Sequence, residues 1–267
     1  MGSVMTSLVQ VPAWAQYPWL LHGFSTRLDG QSAVYGGRQL NLGFTAEDDR
    51  STVLNNRAYL LHAIAGAHAS TLLTIRQVHG TAIQVVGPGH HEPAQADGLI
   101  TSTPGLLLGI QVADCVPVLV ADTRRRIVAG FHAGWRGTVA GIVEQGIAQL
   151  TTDFASSPQD LVAAIGPSIR ACCYSVGEEV HTRFHDRYSY APALFSQAGG
   201  NLHLDLAEAN RRQLLNAGLP ADRITVLDQC TACARADGQR KYFSYRAEAG
   251  ITGRAMGAIG IATVDPA

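Results

Sequence analysis

The sequence predicts a mixed-sheet α/β (α+β) fold, read as one domain over residues 1–267. Two observations carry this. Apolar runs of strand length recur along the chain with helix-period segments between them. Some neighbouring strands are close enough to form hairpins, while others are separated by a helix. No tandem repeat of roughly 20–50 residues and no low-complexity linker divides the chain.

The organising stretch is 106–150. The runs Leu106–Val112 and Val116–Ala121 read as strands flanking the polar step Asp114-Cys115, and a third run, Ile127–Phe131, ends on His132. Gly134-Trp135-Arg136-Gly137 then turns the chain. Thr138 is expected to cap a helix with Val139, Ile142, Val143, Ile147 and Leu150 on its inner face. A thiol and an imidazole therefore fall at strand ends beside turns, where side chains face a cleft more often than a core.

Before this stretch, an irregular lead-in with Pro12 and Pro18 precedes a strand over Leu20–Thr26. A loop over Leu28–Leu40 follows, long enough to suggest a functional segment. Ser51 is expected to cap a helix reaching His68, with Val53, Arg57, Leu60, Leu61 and Ile64 facing inward. Strands follow over Leu72–Val78 and Thr81–Val86. Next come a loop whose His90 and His91 are read as solvent-facing, and a strand over Ala96–Thr101. After the centre, strands are expected at Leu161–Ile165, Ile224–Leu227, Tyr242–Arg246 and Met256–Val264. Helices are expected at Val176–His185 and Leu206–Ala217, with Ser189–Gly200 between them as a loop.

Composition excludes several function classes. The hydrophobic share of 46% and charged share of 15% suit a compact soluble chain, and the net charge of −1 disfavours a nucleic-acid partner. Arg124-Arg125-Arg126 is read as a solvated hairpin tip. No apolar window reaches the roughly 18 residues that span a bilayer, and no secretory leader is visible, so a cytoplasmic location without membrane contact is expected. Neither a GxGxxG strand–helix turn nor a phosphate-cradling loop is present. Five cysteines, an odd number, fit a reducing compartment. Cys230-Thr-Ala-Cys233 has the spacing of a redox pair or half a zinc site but lacks a second such pair. Cys172-Cys173 are read as small buried thiols.

His79, Cys115 and His132 each end an expected strand beside a turn. Converging, two imidazoles and a thiolate make a borderline-soft metal site, and three protein ligands leave a fourth position open, as in catalytic zinc. The alternative is two separately hydrogen-bonded histidines and a buried thiol. A second alternative is a Cys/His hydrolase with Cys115 as nucleophile and one histidine as base. Asp114 either orients a ligand, moves protons, or caps a turn. Arg136 sits in a Gly-bracketed turn at a helix start that suits an anion. Arg27, Arg76, Arg246 and Arg254 are candidates to add to it.

Ten pieces occur in order along the chain. They are HGFSTR (22–27), LNLG (40–43), QVHG (77–80), ADGLIT (96–101), ADCVPVLVAD (113–122), HAGWRGTVAGI (132–142), IGPSI (165–169), YSVGEEV (174–180), LDL (204–206) and SYR with TGR (244–254). Together they resemble the family first described as multicopper polyphenol oxidases, or laccase-domain proteins, now regarded as zinc-dependent purine nucleoside phosphorylases. Ala247, Gln39 and Asp29 depart from the usual residues of that family, away from the metal trio.

The resemblance implies a single-domain layered sandwich with two mixed sheets between helices. It implies zinc held by His79, Cys115 and His132, which with Asp114 form the expected catalytic set. It also implies phosphorolysis of adenosine, inosine, guanosine and methylthioadenosine, plus adenosine deamination. Asn41, Gln77, Arg136 and Arg246 are the expected substrate contacts, and Asp114 the carboxylate that moves protons in deamination. The expected partners are a purine nucleoside and phosphate, with the chain a monomer or small homo-oligomer. Copper is an alternative occupant of the trio, since it binds such ligands more tightly than zinc. Copper-dependent polyphenol oxidation and a Cys- or zinc-dependent amidohydrolase of cell-wall precursors are the rival activities. A non-enzymatic metal-binding module is the remaining reading. The chain's ten histidines include no His-x-His pair of the kind that holds multiple coppers.

Overall fold

Two mixed sheets stacked face to face, with helices on their outer faces, organise the computed structural model, which describes residues 7–89 and 95–263. The first sheet runs in the order β1 (Leu8–Val9), β2 (Leu20–Ser25), β16 (Ala255–Ile261), β6 (Leu106–Val112) and β3 (Thr71–Thr74). The second runs β13 (Ile224–Val226), β9 (Leu161–Ile165), β7 (Val116–Asp122), β8 (Ile127–Ala133), β5 (Gly98–Thr101) and β4 (Ile83–Val85). Within these sheets β3–β6, β4–β5 and β9–β13 are parallel and the other pairs antiparallel, so both sheets are mixed as expected.

Strand alternation builds the layers. In β7, Val116, Val118 and Val120 face α3 (Ile142–Phe154), α4 (Glu178–Arg187) and α5 (Leu206–Asn216), while Leu119 and Ala121 face the first sheet. In β6 and β16, Leu108, Ile110, Ile259 and Ile261 meet that inner face. On the far side of the first sheet, Leu107 and Ala258 pack against α1 (Arg50–Ala65) through Ala65. The sheets approach closely where a Cβ on Gly257 would meet Pro117 at 2.9 Å.

Several local expectations are corrected. The cap of α1 is Asp49, whose carboxylate accepts from Thr52 N at 3.0 Å, because a carboxylate is the better acceptor at a helix's positive end. The helix ends at Ala65, before His68. The helix expected after Thr138 is two helices, α2 (Trp135–Val139) and α3. Gly141, at φ +82°, breaks them, and Thr138 lies inside the first. The segment 189–200 is not all loop. Gly199-Gly200, both at positive φ, turn a hairpin of β11 (Phe195–Ala198) and β12 (Asn201–Leu204), and β10 (Ser175–Val176) pairs with β12. Residues 242–246 form no strand. Ser244 and Tyr245 accept backbone bonds from Glu248 and Gly250, which curls the segment instead. A short ribbon, β14 (Arg235–Ala236) with β15 (Gln239–Arg240), precedes it. His90, His91 and Val264 lie outside the described residues. No helix among the described residues is long and apolar enough to cross a membrane.

The loop 28–40 is held from α1 by a residue that periodicity overlooked. Buried Asn56 accepts from Gln31 N at 2.9 Å and donates to Ser32 Oγ at 3.0 Å and Asn41 O at 2.9 Å. Removing the amide leaves buried groups without partners, at about 1–3 kcal/mol for each such group. Asn56→Ala is therefore expected to lower the urea midpoint clearly, whereas Asn55→Ala, on the exposed face, changes stability by less than about 0.5 kcal/mol.

Candidate metal centre and its cavity

The topology brings His79, Cys115 and His132 together. Two of the three lie on connections that pass from the first sheet to the second: His79 between β3 and β4, and Cys115 between β6 and β7. His132 lies near the end of β8 opposite Pro117 of β7, and shares the parity of Val128, which faces the first sheet. All three thus reach the same end of the sandwich. Their ligand atoms lie within 4.8 Å of one another, with His79 Nε2 at 3.9 Å from Cys115 Sγ and the two imidazole centroids 4.8 Å apart.

Asp97, which sequence reasoning quoted within a motif but gave no role, holds this geometry. It is fully buried just before β5. Its carboxylate accepts from the backbone N–H groups of Val78 (3.2 Å), His79 (2.9 Å) and Gly80 (2.7 Å), and pairs with His132 Nδ1 at 2.8 Å. The first three bonds define the tight turn in which His79 takes φ +61°. The fourth fixes the ring of His132 and leaves its Nε2 toward the trio. Burial alone would raise the carboxyl's pKa, but the imidazole and the three N–H groups together lower it.

The thiol is tuned in the same way. Burial pushes Cys115 up, and the imidazoles of His132 and His79 outweigh it, holding the group well below an ordinary thiol. Burial pushes His132 down, and Cys115 and Asp97 carry it above an ordinary imidazole. The pair therefore favours thiolate with imidazolium, and a cation in the trio would take the place of that proton. The donor set fits zinc: two imidazoles and a thiolate at mutual spacings one metal atom can bridge, with an orienting carboxylate behind.

A cavity of about 670 Å³ opens onto the trio. All three residues line it, together with Asp114, Gln77, Arg246, Arg76 and Arg254. Its apolar walls include Ile169, Tyr174 and Tyr245. The sequence reading missed the two tyrosines; the signal was an aromatic beside an arginine in SYR and a tyrosine after the paired cysteines.

The other expected site residues divide. Gln77 lines the cavity with both amide ends engaged, donating to Gln111 O at 2.7 Å and accepting from Gln111 N at 2.8 Å. Asp114 has φ +88° and accepts from Thr231 Oγ1 at 2.6 Å and from Arg246 N at 2.7 Å, a turn-capping geometry. Arg246 donates to Ser175 O at 2.9 Å and lies 5.3 Å from the ring of Tyr174. Arg136 is exposed, stacked on Trp135 at 4.3 Å, and is not among the cavity-lining residues. Asn41 is buried behind the cavity, bonding Gly43, Asp48 and the backbone N–H of Arg254. Arg27 is buried in an ion pair with Glu248 at 2.8 Å, away from the anion role considered for it. No described residue of the 28–40 loop lines the cavity.

Two variants test this framework. Asp97→Asn is expected to weaken zinc binding by about 10–100-fold, read by competition with a chromogenic chelator. Gly134→Ala would bring a Cβ to 3.0 Å from His79 Cδ2 and 3.1 Å from Cys115 Sγ. At its φ of −70° alanine costs no backbone strain. Metal affinity is therefore expected to fall while the melting temperature of metal-free protein stays close to that of the parent chain.

Comparison with known proteins agrees with this architecture. The family described as multi-copper polyphenol oxidoreductase laccase matches residues 21–262. Among curated relatives, the purine nucleoside phosphorylase YlmD of Geobacillus stearothermophilus is 36% identical, covering 91% of this chain and 94% of that protein. The purine nucleoside phosphorylase YfiH of Escherichia coli is 33% identical, over 94% of this chain and 97% of that one. An adenosine deaminase from an unknown prokaryotic organism is 33% identical, over 80% and 85%. The crystal structure of Bacillus licheniformis YfiH superposes with a TM-score of 0.86 at 32% identity, covering 96% of this chain and 97% of that one. The fold, the ordered motifs and these likenesses converge: the chain belongs to the multi-copper polyphenol oxidoreductase laccase family.

Proposed function

We propose that this chain is a single-domain, cytoplasmic, zinc-dependent purine nucleoside phosphorylase that also deaminates adenosine. One observation carries the reading: a thiol and two imidazoles able to hold one metal ion open into a cavity of about 670 Å³, roomy enough for a nucleoside, that also holds arginines and tyrosines. The names of the relatives support the same substrates.

Phosphorolysis forms a bond between a phosphate oxygen and C1′ of the ribose as the C1′–N9 bond breaks, and the purine leaves with a proton. The phosphate needs cations, which Arg76, Arg246 and Arg254 supply from the cavity wall. The purine needs flat apolar contacts, which Tyr174 and Tyr245 supply. His79, Cys115 and His132 would hold the zinc, which would supply a Lewis-acid centre beside the cavity. Asp97 keeps His132 aimed at it. Asp114 fixes the backbone of Arg246, and so helps to set where that guanidinium meets phosphate. In deamination, water adds to C6 and ammonia leaves; Asp114 is the carboxylate beside the trio that takes and returns the proton.

A second reading has its own observation. Asp97, His132 and the low-pKa thiol of Cys115 follow the order of a thiol hydrolase triad. His79 separates the two, because a triad needs one base and a metal site needs both imidazoles.

The deciding assay incubates zinc-loaded protein with adenosine, with and without phosphate, and measures adenine and inosine. Phosphate-dependent adenine is expected, falling at least about 100-fold in both Cys115→Ala and His79→Ala. Activity that survives a strong chelator and His79→Ala but not Cys115→Ala would establish the thiol hydrolase instead. Neither product from fully metallated protein would overturn the nucleoside reading. Arg246→Ala is expected to raise KM for phosphate more than KM for adenosine.

A further inference from the structure

Four cysteines that the sequence reading left as two unrelated pairs form a second cluster. Cys172, Cys173, Cys230 and Cys233 are all free, and their four Sγ atoms lie within 4.8 Å of one another. The pair at 172 and 173 is not the two buried thiols expected: Cys172 is exposed and Cys173 half-buried. The segment is a turn, in which Cys173 N and Tyr174 N both donate to Arg170 O at 2.9 Å, so the adjacent side chains project to the same side. The second pair lies on another turn, closed by Ala234 N donating to Cys230 O at 2.9 Å. A bridge between Ser168 and Cys230, with Thr231 N donating to Ser168 O at 3.1 Å, holds the two turns side by side.

We propose that these four cysteines form a structural zinc site, distinct from the His79–Cys115–His132 trio, that fastens the two turns behind the cavity. Two of the sulfur–sulfur spacings match those of a tetrahedral site. With Zn–S bonds of about 2.3 Å, sulfurs at tetrahedral corners are about 3.8 Å apart. Cys172 Sγ lies 3.7 Å from Cys173 Sγ and 3.8 Å from Cys233 Sγ. Four sulfurs this close surround one metal atom rather than the several irons of a cluster. Four thiolates also close the coordination shell, which makes the site structural, whereas the three-ligand trio keeps a position open.

The surroundings suit a tetrathiolate. The backbone N–H groups of Arg170, Ala232 and Cys233 donate to Cys230, the arrangement by which a protein stabilises a metal-bound thiolate. A zinc with four thiolates carries two net negative charges, and Arg170 is the buried cation near enough to feel Cys230 and Cys172. Its Nε makes no hydrogen bond among the described residues and lies 3.7 Å from Asp228 Oδ1, so the guanidinium is shared between that carboxylate and the cysteines. The site would act on the cavity at one remove. Ile169 and Tyr174, which flank Cys172 and Cys173, form part of the cavity wall, and Thr231, between the other two cysteines, anchors Asp114. The proposal does not depend on the nucleoside reading, because its signal is metal stoichiometry.

The test is metal analysis of protein produced with zinc supplementation and purified under reducing conditions. The parent chain is expected to hold about two zinc ions, Cys115→Ala about one, and the double variant Cys172→Ser/Cys233→Ser about one. Cobalt substituted into Cys115→Ala is expected to give the strong thiolate-to-cobalt charge-transfer absorption of a four-sulfur tetrahedral site. That measurement stands even if the double cysteine variant does not fold. Chelation of Cys115→Ala protein is expected to lower its melting temperature. Cys115→Ala protein that holds no metal would overturn the proposal, as would a Cys172–Cys233 disulfide found by mass spectrometry in protein isolated without oxidant. Iron with acid-labile sulfide in place of zinc would overturn it as well.

Discussion

The carboxylate of Asp97 is the constraint on which the rest of the candidate site depends. A fully buried charge is costly unless it is fully engaged, and this one engages three backbone N–H groups of a single turn and one imidazole. Those bonds reach across the molecule's construction. The turn belongs to the link between β3 and β4, the imidazole to β8, and Asp97 itself stands at the foot of β5. One side chain thereby fixes two of the three candidate ligands relative to each other, and the thiol is delivered by the next crossing, between β6 and β7.

The sandwich explains why such a site can exist where it does. Strands that end in one sheet and resume in the other must cross at an end of the stack, where backbone is exposed and turns are tight. His79 and Asp114 both take positive φ at these crossings. Behind them, alternating residues of β7 and β8 fill both faces of the second sheet, so the crossings are mounted on strands that cannot shift without emptying the core. The helices on the outer face, including α3 with Ile142, Ile147 and Leu150, contribute rigidity and no ligand to the trio.

Polar side chains at and behind the cavity wall follow one pattern. Asn56 ties the 28–40 loop to α1, Asn41 ties Arg254 to that loop, Gln77 lies along the end of β6 as a strand would, and Asp114 clamps Thr231 and Arg246. Each closes a segment that has no regular ladder; Gln77 and Asp114 line the cavity, while Asn56 and Asn41 stand behind its wall. The four cysteines belong to the same layer, since their two turns carry Tyr174 on one side and Thr231 on the other. The cavity is thus shaped in part by residues that do not line it, and the expected contact at Asn41 falls among these, behind the wall.

Local pattern was enough for the strands at the centre and for picking out the three side chains that converge at its edge. Leu106–Val112 and Leu161–Ile165 are long apolar runs whose strand character needs no partner to be read, and His79, Cys115 and His132 stand out as chemistry-bearing residues in or beside turns and strand ends. The tertiary structure decided what depends on a partner distant in sequence. Asp97 became the organiser only when β5 paired with β8 and set it beside His132. Residues 242–246 have strand composition but no sheet edge to join, so they curl, while Gly199-Gly200 found partners for a hairpin where composition suggested a loop. Cys172 and Cys233 are 61 residues apart, and no periodicity within either segment reports on the other. Side-chain identity is local, whereas convergence is a property of crossings and turns, which the packing of two sheets determines.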